Sequence, residues 1–380
     1  MKISVNIARV IVGLLFIFSG LVKANDPMGL SYKMQEFFEL WGMEKFNSWT
    51  LLMSVLMNAF EIIAGVALLL GWRIKLFNWL LLALIIFFTF LTGYAFLSGK
   101  FQNCGCFGDC LPITPKESFI KDLFLGVLIL YIFFNQKFIK PLFPEKITTL
   151  TMLGITILGF GIQWYTLSYL PVVDCLPFKK GNTISEKMKI PAGARPDSFA
   201  IRFVYEKEGK QFEFSPAELP DDLATYKFIS RKDKLIKKGN AEPAIKGFAL
   251  SGVTDVDSTQ IVLSQPYAVL LYCEDFSVPV SKWEKEFTKV YTSAKAKNIP
   301  VYMITSQPND VSKYISGKSF ADIAVFKCDF TSIRTAARTN PCLYILKQGT
   351  ILGKWSRHHF TSAYKMIEGF TAQQPEINNQ

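Results

Sequence analysis

Apolar residues along this chain gather into runs of about twenty, the length a helix needs to cross hydrocarbon. Such runs at 5–22, 50–70, 76–97, 118–134 and 147–170 predict five spanning helices, all in the first 170 residues. Lys2 gives the first run a basic start, but no small-x-small pattern precedes Lys23, so this helix is expected to be retained rather than cleaved. Between the first two runs, Leu30, Met34, Phe37, Phe38 and Trp41 recur at helical spacing, a pattern suited to a helix lying in the membrane interface. Residues 98–117 form a loop, and it is rich in cysteine.

Beyond residue 170 the pattern breaks up. Alternation over 199–205 and 211–214, divided by Gly209, predicts a β-hairpin in a small β-rich linker. From 243 onward short buried strands (268–273, 300–305, 323–326) alternate with helices (281–297, 310–314, 330–338). A hairpin of 343–346 and 351–355 and a last helix at 361–370 follow. Residues 248–250 and 260–263 are read as a leading hairpin. A βαβ unit followed by a hairpin and a helix is an α/β sandwich order. The expected organisation is therefore 1–140 as a four-helix membrane region and 141–172 as a fifth, tethering helix. Residues 173–242 form the linker and 243–380 the α/β domain.

Charge adds an orientation. Lys2, Arg9, Arg73, Lys75, Lys137, Lys140 and Lys146 fall on one side of the five spans, which makes that side and the N-terminus cytoplasmic. The cysteine loop and the C-terminal half then lie outside, where disulfides persist. The net charge of +11 fits cytoplasmic loops and anionic lipid, with membrane lipids as one partner. No basic stripe interleaved with aromatics occurs in the soluble half, so nucleic acid is not an expected partner.

Candidate chemistry centres on Asn103-Cys104-Gly105-Cys106-Phe107-Gly108-Asp109-Cys110. Three thiols this close can form a disulfide, bind a soft metal or pass electrons. A Cys104–Cys106 bridge closes a small, strained ring, so Cys110 is expected to pair with one of the other two. A labile bond beside a membrane suits a redox relay; a static bond with a spare thiol is the other reading. Metal is the least favoured, with three sulfurs and no nearby histidine. Cys175 is a further potential partner for the loop. Arg9 and Glu61 are ionisable residues inside spans, where each costs about 2.5–3.5 kcal/mol and demands a partner. They are expected to pair with each other, as an internal ion pair or as a proton or quinone-headgroup site, while Lys23 snorkels outward. Cys273 and Cys342 are expected to be buried apolar residues, and Cys328 to be inert. The adjacent His358 and His359 point apart and are read as exposed loop residues.

Arg9, Gly13, Gly20 and Lys23 in the first span, Glu61, Gly65 and Gly71 in the second, and Cys-Gly-Cys-Phe-Gly at 104–108 resemble the DoxX/MauE group of bacterial membrane proteins. Gly247-Phe248-Ala249-Leu250 and Asn340-Pro341, the latter at the place of a cis-proline, resemble the thioredoxin-like fold in its TlpA or peroxiredoxin style. Val278 and Ser281 stand where that family has Cys-x-x-Cys, so the domain is expected to bind without exchanging disulfides. The same resemblance implies that Cys273 and Cys342 approach one another. The whole is similar in architecture to vitamin K epoxide reductase fusions, although neither of their Cys-x-x-Cys motifs is present. These resemblances imply a multi-pass protein of the bacterial inner membrane with its C-terminal domain in the periplasm. It would support thiol–disulfide or quinone-linked redox chemistry through Cys104, Cys106 and Cys110, with Arg9 and Glu61 at a quinone site. A periplasmic or envelope protein would bind the thioredoxin-like domain. The MauE likeness adds maturation of a disulfide-rich periplasmic enzyme as a setting. The competing expectation is a non-enzymatic scaffold of an envelope complex with structural cysteines.

Overall fold

The structure, a computed structural model, describes residues 2–101, 105, 107–196, 198–237, 239, 241–252 and 255–371. Helix α1 (Lys2–Asn25) leads into α2 (Pro27–Leu40), and the break is set by Asp26, whose carboxylate accepts from the Gly29 amide ahead of Pro27. Then come α3 (Thr50–Leu70), α4 (Ile74–Ser98), α5 (Pro115–Phe134) and α6 (Glu145–Tyr169). Among the described residues, four helical stretches are long and apolar enough to cross a membrane: Lys2–Asn25, Glu44–Leu70, Ile74–Ser98 and Glu145–Tyr169. Helix α5 spans 20 residues but carries Lys116, Glu117, Lys121 and Asp122 in its first turns, where Thr114 and Glu117 form a reciprocal capping box.

The seam between α1 and α3 is made of backbone. A Cβ added to Gly65 would lie 2.7 Å from the Gly13 carbonyl oxygen, and one on Gly20 would lie 3.0 Å from the Asn58 oxygen. Small residues permit this approach, as in other membrane helix pairs. The turns at 71–75 and 135–145 meet at one end of the bundle, where the Leu142 amide donates to the Leu70 carbonyl at 3.1 Å and Asn78 bonds Gln136 at 3.3 Å. The α1–α2 break, the cysteine loop and the exit of α6 lie at the other end, called the loop end below.

After a short helix α7 (Ile184–Lys187), strands β1 (Ser198–Lys207), β2 (Lys210–Phe214) and β3 (Lys227–Lys237) form an antiparallel sheet in the order β2-β1-β3. The expected hairpin is thus present, with a third strand that alternation alone did not reveal. The last part comprises α8 (Thr259–Leu263), β4 (Ala268–Tyr272), α9 (Glu284–Ala296), β5 (Val301–Thr305), α10 (Val311–Ile315), β6 (Ala324–Lys327), α11 (Phe330–Ala336), β7 (Cys342–Lys347), β8 (Thr350–Ser356) and α12 (Phe360–Glu368). Its sheet runs β6-β5-β4-β7-β8, with β4, β5 and β6 parallel and the β7–β8 hairpin antiparallel. The Asn340–Pro341 peptide before β7 is cis.

Successive residues of β4 feed opposite faces. Val269 and Leu271 join Phe287 and Phe360 in one core, while Leu270 and Tyr272 join Phe248 and Ile333 in the other. The second core also holds Phe178 and Ile184, so part of the stretch expected as linker packs with the α/β sheet; the Ile184 amide donates to the Gly349 carbonyl at 2.9 Å. The leading hairpin does not form: residues 259–263 are helical, with Val262 and Leu263 buried on one side and Ile261 exposed, a spacing that fits a helix face.

Candidate functional site

The polar interior of the bundle lies near its loop end. Lys23, on the last turn of α1, is 2% exposed and forms an ion pair with Glu61 of α3, itself 1% exposed. The expected Arg9–Glu61 pair is absent, and Lys23 does not snorkel. The reason is geometric: α1 and α3 are antiparallel, so Arg9 lies beside Leu69, whose carbonyl accepts from its Nη2 at 3.0 Å. Lys23 is fourteen residues further along α1, about 21 Å at 1.5 Å per residue, and so reaches Glu61 instead. Glu61 Oε2 is buried with no hydrogen-bond partner among the described residues. Nearby on α5, Asp122 is also 1% exposed and accepts from Thr92 Oγ1 at 3.0 Å and Lys121 Nζ at 2.5 Å. Sequence reasoning missed this second pair, although two charges opening an apolar run were its visible signal.

Two chambers meet at Lys23 and Phe88. One is lined by Ser19, Lys23, Glu61, Lys121, Asp122 and Phe107 among others. The other is larger and apolar, with Phe37, Trp41, Met53, Met57 and Phe88 in its wall. The Lys23 ammonium lies 5.1 Å from the centre of the Phe88 ring, a cation–π contact at the shared wall. Gly105 lines the larger chamber at φ +67°, where a side chain would be strained and its Cβ would lie 3.0 Å from Lys33 Cγ. Phe107 lines the smaller chamber, with the Lys121 ammonium 5.3 Å from its ring centre. In sequence Cys106 lies between these two lining residues and Cys104 precedes them; both cysteines fall outside the described residues.

Cys110 is bonded to Cys175, 65 residues away. This corrects the expectation that Cys110 pairs with Cys104 or Cys106. The side chain of Asn25 exchanges two hydrogen bonds with the backbone of Val173, at 2.8 and 2.9 Å, which folds the exit of α6 over the end of α1. Gly108 lies against Val22 at the same place, so residues 110 and 175 meet there.

The α/β domain grips this end. Arg338, 5% exposed, donates from Nε to Asp26 at 2.9 Å, from Nη2 to Asp109 at 2.7 Å and from Nη1 to the Arg334 carbonyl at 2.7 Å. Burial pulls its guanidinium down, but Asp26 and Asp109 outweigh that and its net shift is upward. Arg334 bonds Gln35 at 2.6 Å and Glu274 at 2.8 Å, and its guanidinium lies 3.5 Å from the Phe330 ring centre. Lys354 pairs with Asp174 at 2.5 Å. His358 and His359, both exposed, lie against the ring of Tyr169 at the end of α6, at 5.2 and 5.0 Å. None of these long-range pairs was visible in the sequence.

Inside the α/β domain the three free cysteines are unreactive by environment. Burial pushes Cys273 and Cys328 up to about 12 and Cys342 up to about 11. Cys342 stands opposite Tyr272 in the β4–β7 ladder, so Cys273, one residue on, faces the other core and the two thiols do not come together. Val278 is half-buried and Ser281 exposed, the latter in the 3₁₀ turn Val280–Lys282. The loop before that turn is tied to the cis-proline segment by Asn340 Nδ2, which donates to the Asp275 carboxylate at 2.6 Å.

A helical membrane bundle with charged groups buried at the loop end and an appended α/β domain is the class these features define. Residues 1–135 match the family described as Methylamine utilisation protein MauE, a likeness confined to the N-terminal helices. Residues 199–238, the three-stranded sheet, match a domain of unknown function, DUF8463. Protein TlpB of Flavobacterium psychrophilum is 30% identical over 138 residues, 33% of this chain and 35% of that protein. The chain thus spans about a third of the length of this relative. Yeast Sco1 with copper bound is 15% identical, covering 34% of this chain and 92% of that one at a TM-score of 0.26; a second yeast Sco1 structure is 16% identical, covering 34% and 94%, also at 0.26.

Proposed function

We propose that this is a bacterial inner-membrane protein supporting thiol–disulfide chemistry linked to a membrane electron acceptor, with Cys104 and Cys106 as the reacting pair. Five spans with a cytoplasmic N-terminus put the cysteine loop and the α/β domain in the periplasm. Supporting this, the turns that carry Arg73, Lys75, Lys137 and Lys140 gather at the end of the bundle opposite the disulfide. The parts are 1–140, the tether 141–172, the linker 173–242, whose first residues pack into the α/β core, and a thioredoxin-like domain 243–380.

The observation that carries the reading is the pair of chambers walled by Gly105 and Phe107, the two neighbours of Cys106. A quinone, which takes up two electrons and two protons on reduction, suits this donor set. Phe37, Trp41, Phe88 and Met57 would hold its ring and Lys23 a carbonyl, while Glu61 Oε2 lacks a described partner. Oxidation of the Cys104–Cys106 dithiol releases two electrons and two protons as one S–S bond forms. The Glu61 and Asp122 carboxylates, paired with Lys23 and Lys121, are the chamber groups able to hold those protons. A bridge across one residue is strained and therefore readily reduced again. Cys110 is taken out of this pair by its bond to Cys175. With Val278 and Ser281 in place of thiols, the α/β domain serves in recognition of an envelope partner.

Differential alkylation and mass spectrometry on intact membranes test this, with and without mild reductant and with respiration blocked. The expected result is that Cys104 and Cys106 become reduced when respiration stops and reoxidise when it resumes. If both stay in one state throughout, the loop is structural and the protein is a scaffold of an envelope complex.

A further inference from the structure

Each cysteine of the Cys110–Cys175 bridge is preceded by an aspartate, and each aspartate is held by a buried cation of the α/β domain. Arg338 takes Asp109 and Lys354 takes Asp174; the two cations are 5% and 7% exposed. The bridge itself is half-exposed. Cys175 lies in the wall of an open cleft between α2 and α11, and both cysteines border a narrow crevice beside it. The cleft walls offer hydrogen-bonding groups from both sides, including Gln35 and Glu36 of α2 and Thr331 and Thr335 of α11.

We infer that the Cys110–Cys175 disulfide is a second thiol-reactive site, that its substrate is a thiol-bearing polypeptide segment seated in this cleft, and that Arg338 and Lys354 are positioning residues for it. The electrostatics require the two cations. An incoming thiolate is anionic and the departing sulfur leaves as an anion, so two bare carboxylates next to the bridge would oppose both. Neutralised by Arg338 and Lys354, they no longer do, and the cations favour the departing thiolate. Backbone groups of an extended segment can bond to the polar walls, which a small thiol cannot exploit.

The step balances within the two partners. The substrate thiolate attacks Cys175 Sγ, the S–S bond breaks, and Cys110 leaves with the electron pair and takes up a proton. A second substrate thiol attacks the mixed disulfide, releasing Cys175 as a thiol. The substrate has lost two electrons and two protons and the bridge has gained them. Resetting the bridge rests on the function proposed above, through an oxidised Cys104–Cys106 pair and its two-electron membrane acceptor.

The test uses the full chain in lipid nanodiscs, as wild type and with Cys104→Ser and Cys106→Ser, so that the bridge is read apart from the loop pair. The probe is a short synthetic dithiol peptide, and the readout is bridge opening by alkylation and mass spectrometry. The expected result is faster opening than in the same protein unfolded by denaturant. Arg338→Gln and Lys354→Gln should each slow it about tenfold, the effect of roughly one unit charge at close range, with Arg338→Lys and Lys354→Arg restoring most of the rate. A monothiol version of the peptide should be captured on Cys175 of the native bridge as a mixed disulfide, held there by alkylation of the released Cys110 thiol. A native bridge that opens more slowly than the unfolded one, or at rates the charge variants leave unchanged, overturns the inference. Glutathione matching the peptide overturns the polypeptide assignment. A reactive bridge with Cys104 and Cys106 that never cycle removes the loop reading and leaves this one standing; a cycling loop with an inert bridge does the reverse.

Discussion

Replacing Lys23 by Met removes one member of an ion pair whose partners are 2% and 1% exposed. Glu61 would be left in a site with no described partner for either oxygen, since Oε2 already lacks one. Breaking a buried pair from one side costs about 3–5 kcal/mol, because the remaining charge is desolvated without compensation. The cation–π contact with Phe88 adds to the loss from the lysine side. Glu61→Leu should cost a similar amount for the opposite reason, leaving an ammonium in the apolar seam. The double variant Lys23→Met with Glu61→Leu leaves no charge and conserves volume, so its stability should lie within about 1 kcal/mol of wild type. The coupling energy from this cycle is then at least about 5 kcal/mol. Denaturant titration of the full chain in mixed micelles, followed by tryptophan fluorescence, measures it. Single variants that each lose less than about 1 kcal/mol, with an additive double, would refute the reasoning. The same double variant separates structure from chemistry: if Glu61 holds protons for the loop thiols, it folds but reoxidises Cys104 and Cys106 more slowly.

Gly65→Ala should destabilise the bundle by about 1–3 kcal/mol, because its Cβ meets the backbone oxygen of Gly13 at 2.7 Å; denaturant titration reads it. Cys110→Ser should cost about 4 kcal/mol by freeing a loop of 65 residues, seen as a lower denaturation midpoint under oxidising conditions and no change under reducing ones. Cys273, Cys328 and Cys342 should resist iodoacetamide at pH 8 in the native protein and react on unfolding, as mass spectrometry can establish. Their native values lie above the ordinary value near 9, so the folded form retains protons that the unfolded form loses as pH rises beyond it. Stability should therefore be level below about pH 9 and fall between there and pH 12, by up to about 1.4 kcal/mol per pH unit for each thiol; a melting series across that range checks the sign.

The helices were legible because hydropathy and length are local properties. The helix at 50–70 agrees to the residue, and the bounds of the other long helices differ by a few residues at most, although the one at 115–134 is not among the four apolar enough to cross a membrane. The α/β order was legible for the same reason, since buried strands such as 268–272 announce themselves by composition. What stayed hidden depends on which distant residues share an end of the bundle. Arg9 and Glu61 looked like partners as the charges of adjacent helices, yet antiparallel packing makes Lys23 the one that arrives. Asp26, Asp109 and Asp174 are unremarkable singly; only the tertiary fold collects them under Arg338 and Lys354. The strand at 227–237 was missed because its Lys and Arg residues obscure the alternation that β1 displays.

The bond between residues 110 and 175 also fixes an order of assembly. Cys110 emerges in the loop after α4, but its partner follows α6, so closure must wait until α5 and α6 have been made and inserted. Lys354 is synthesised about 180 residues later still, roughly 10 to 35 seconds at ordinary translation rates. Throughout that interval Asp109 and Asp174 stand beside the sulfurs without their cations. A newborn chain therefore passes through a stage with its bundle complete and its cysteines guarded by negative charge, and the last-made domain is what ends it.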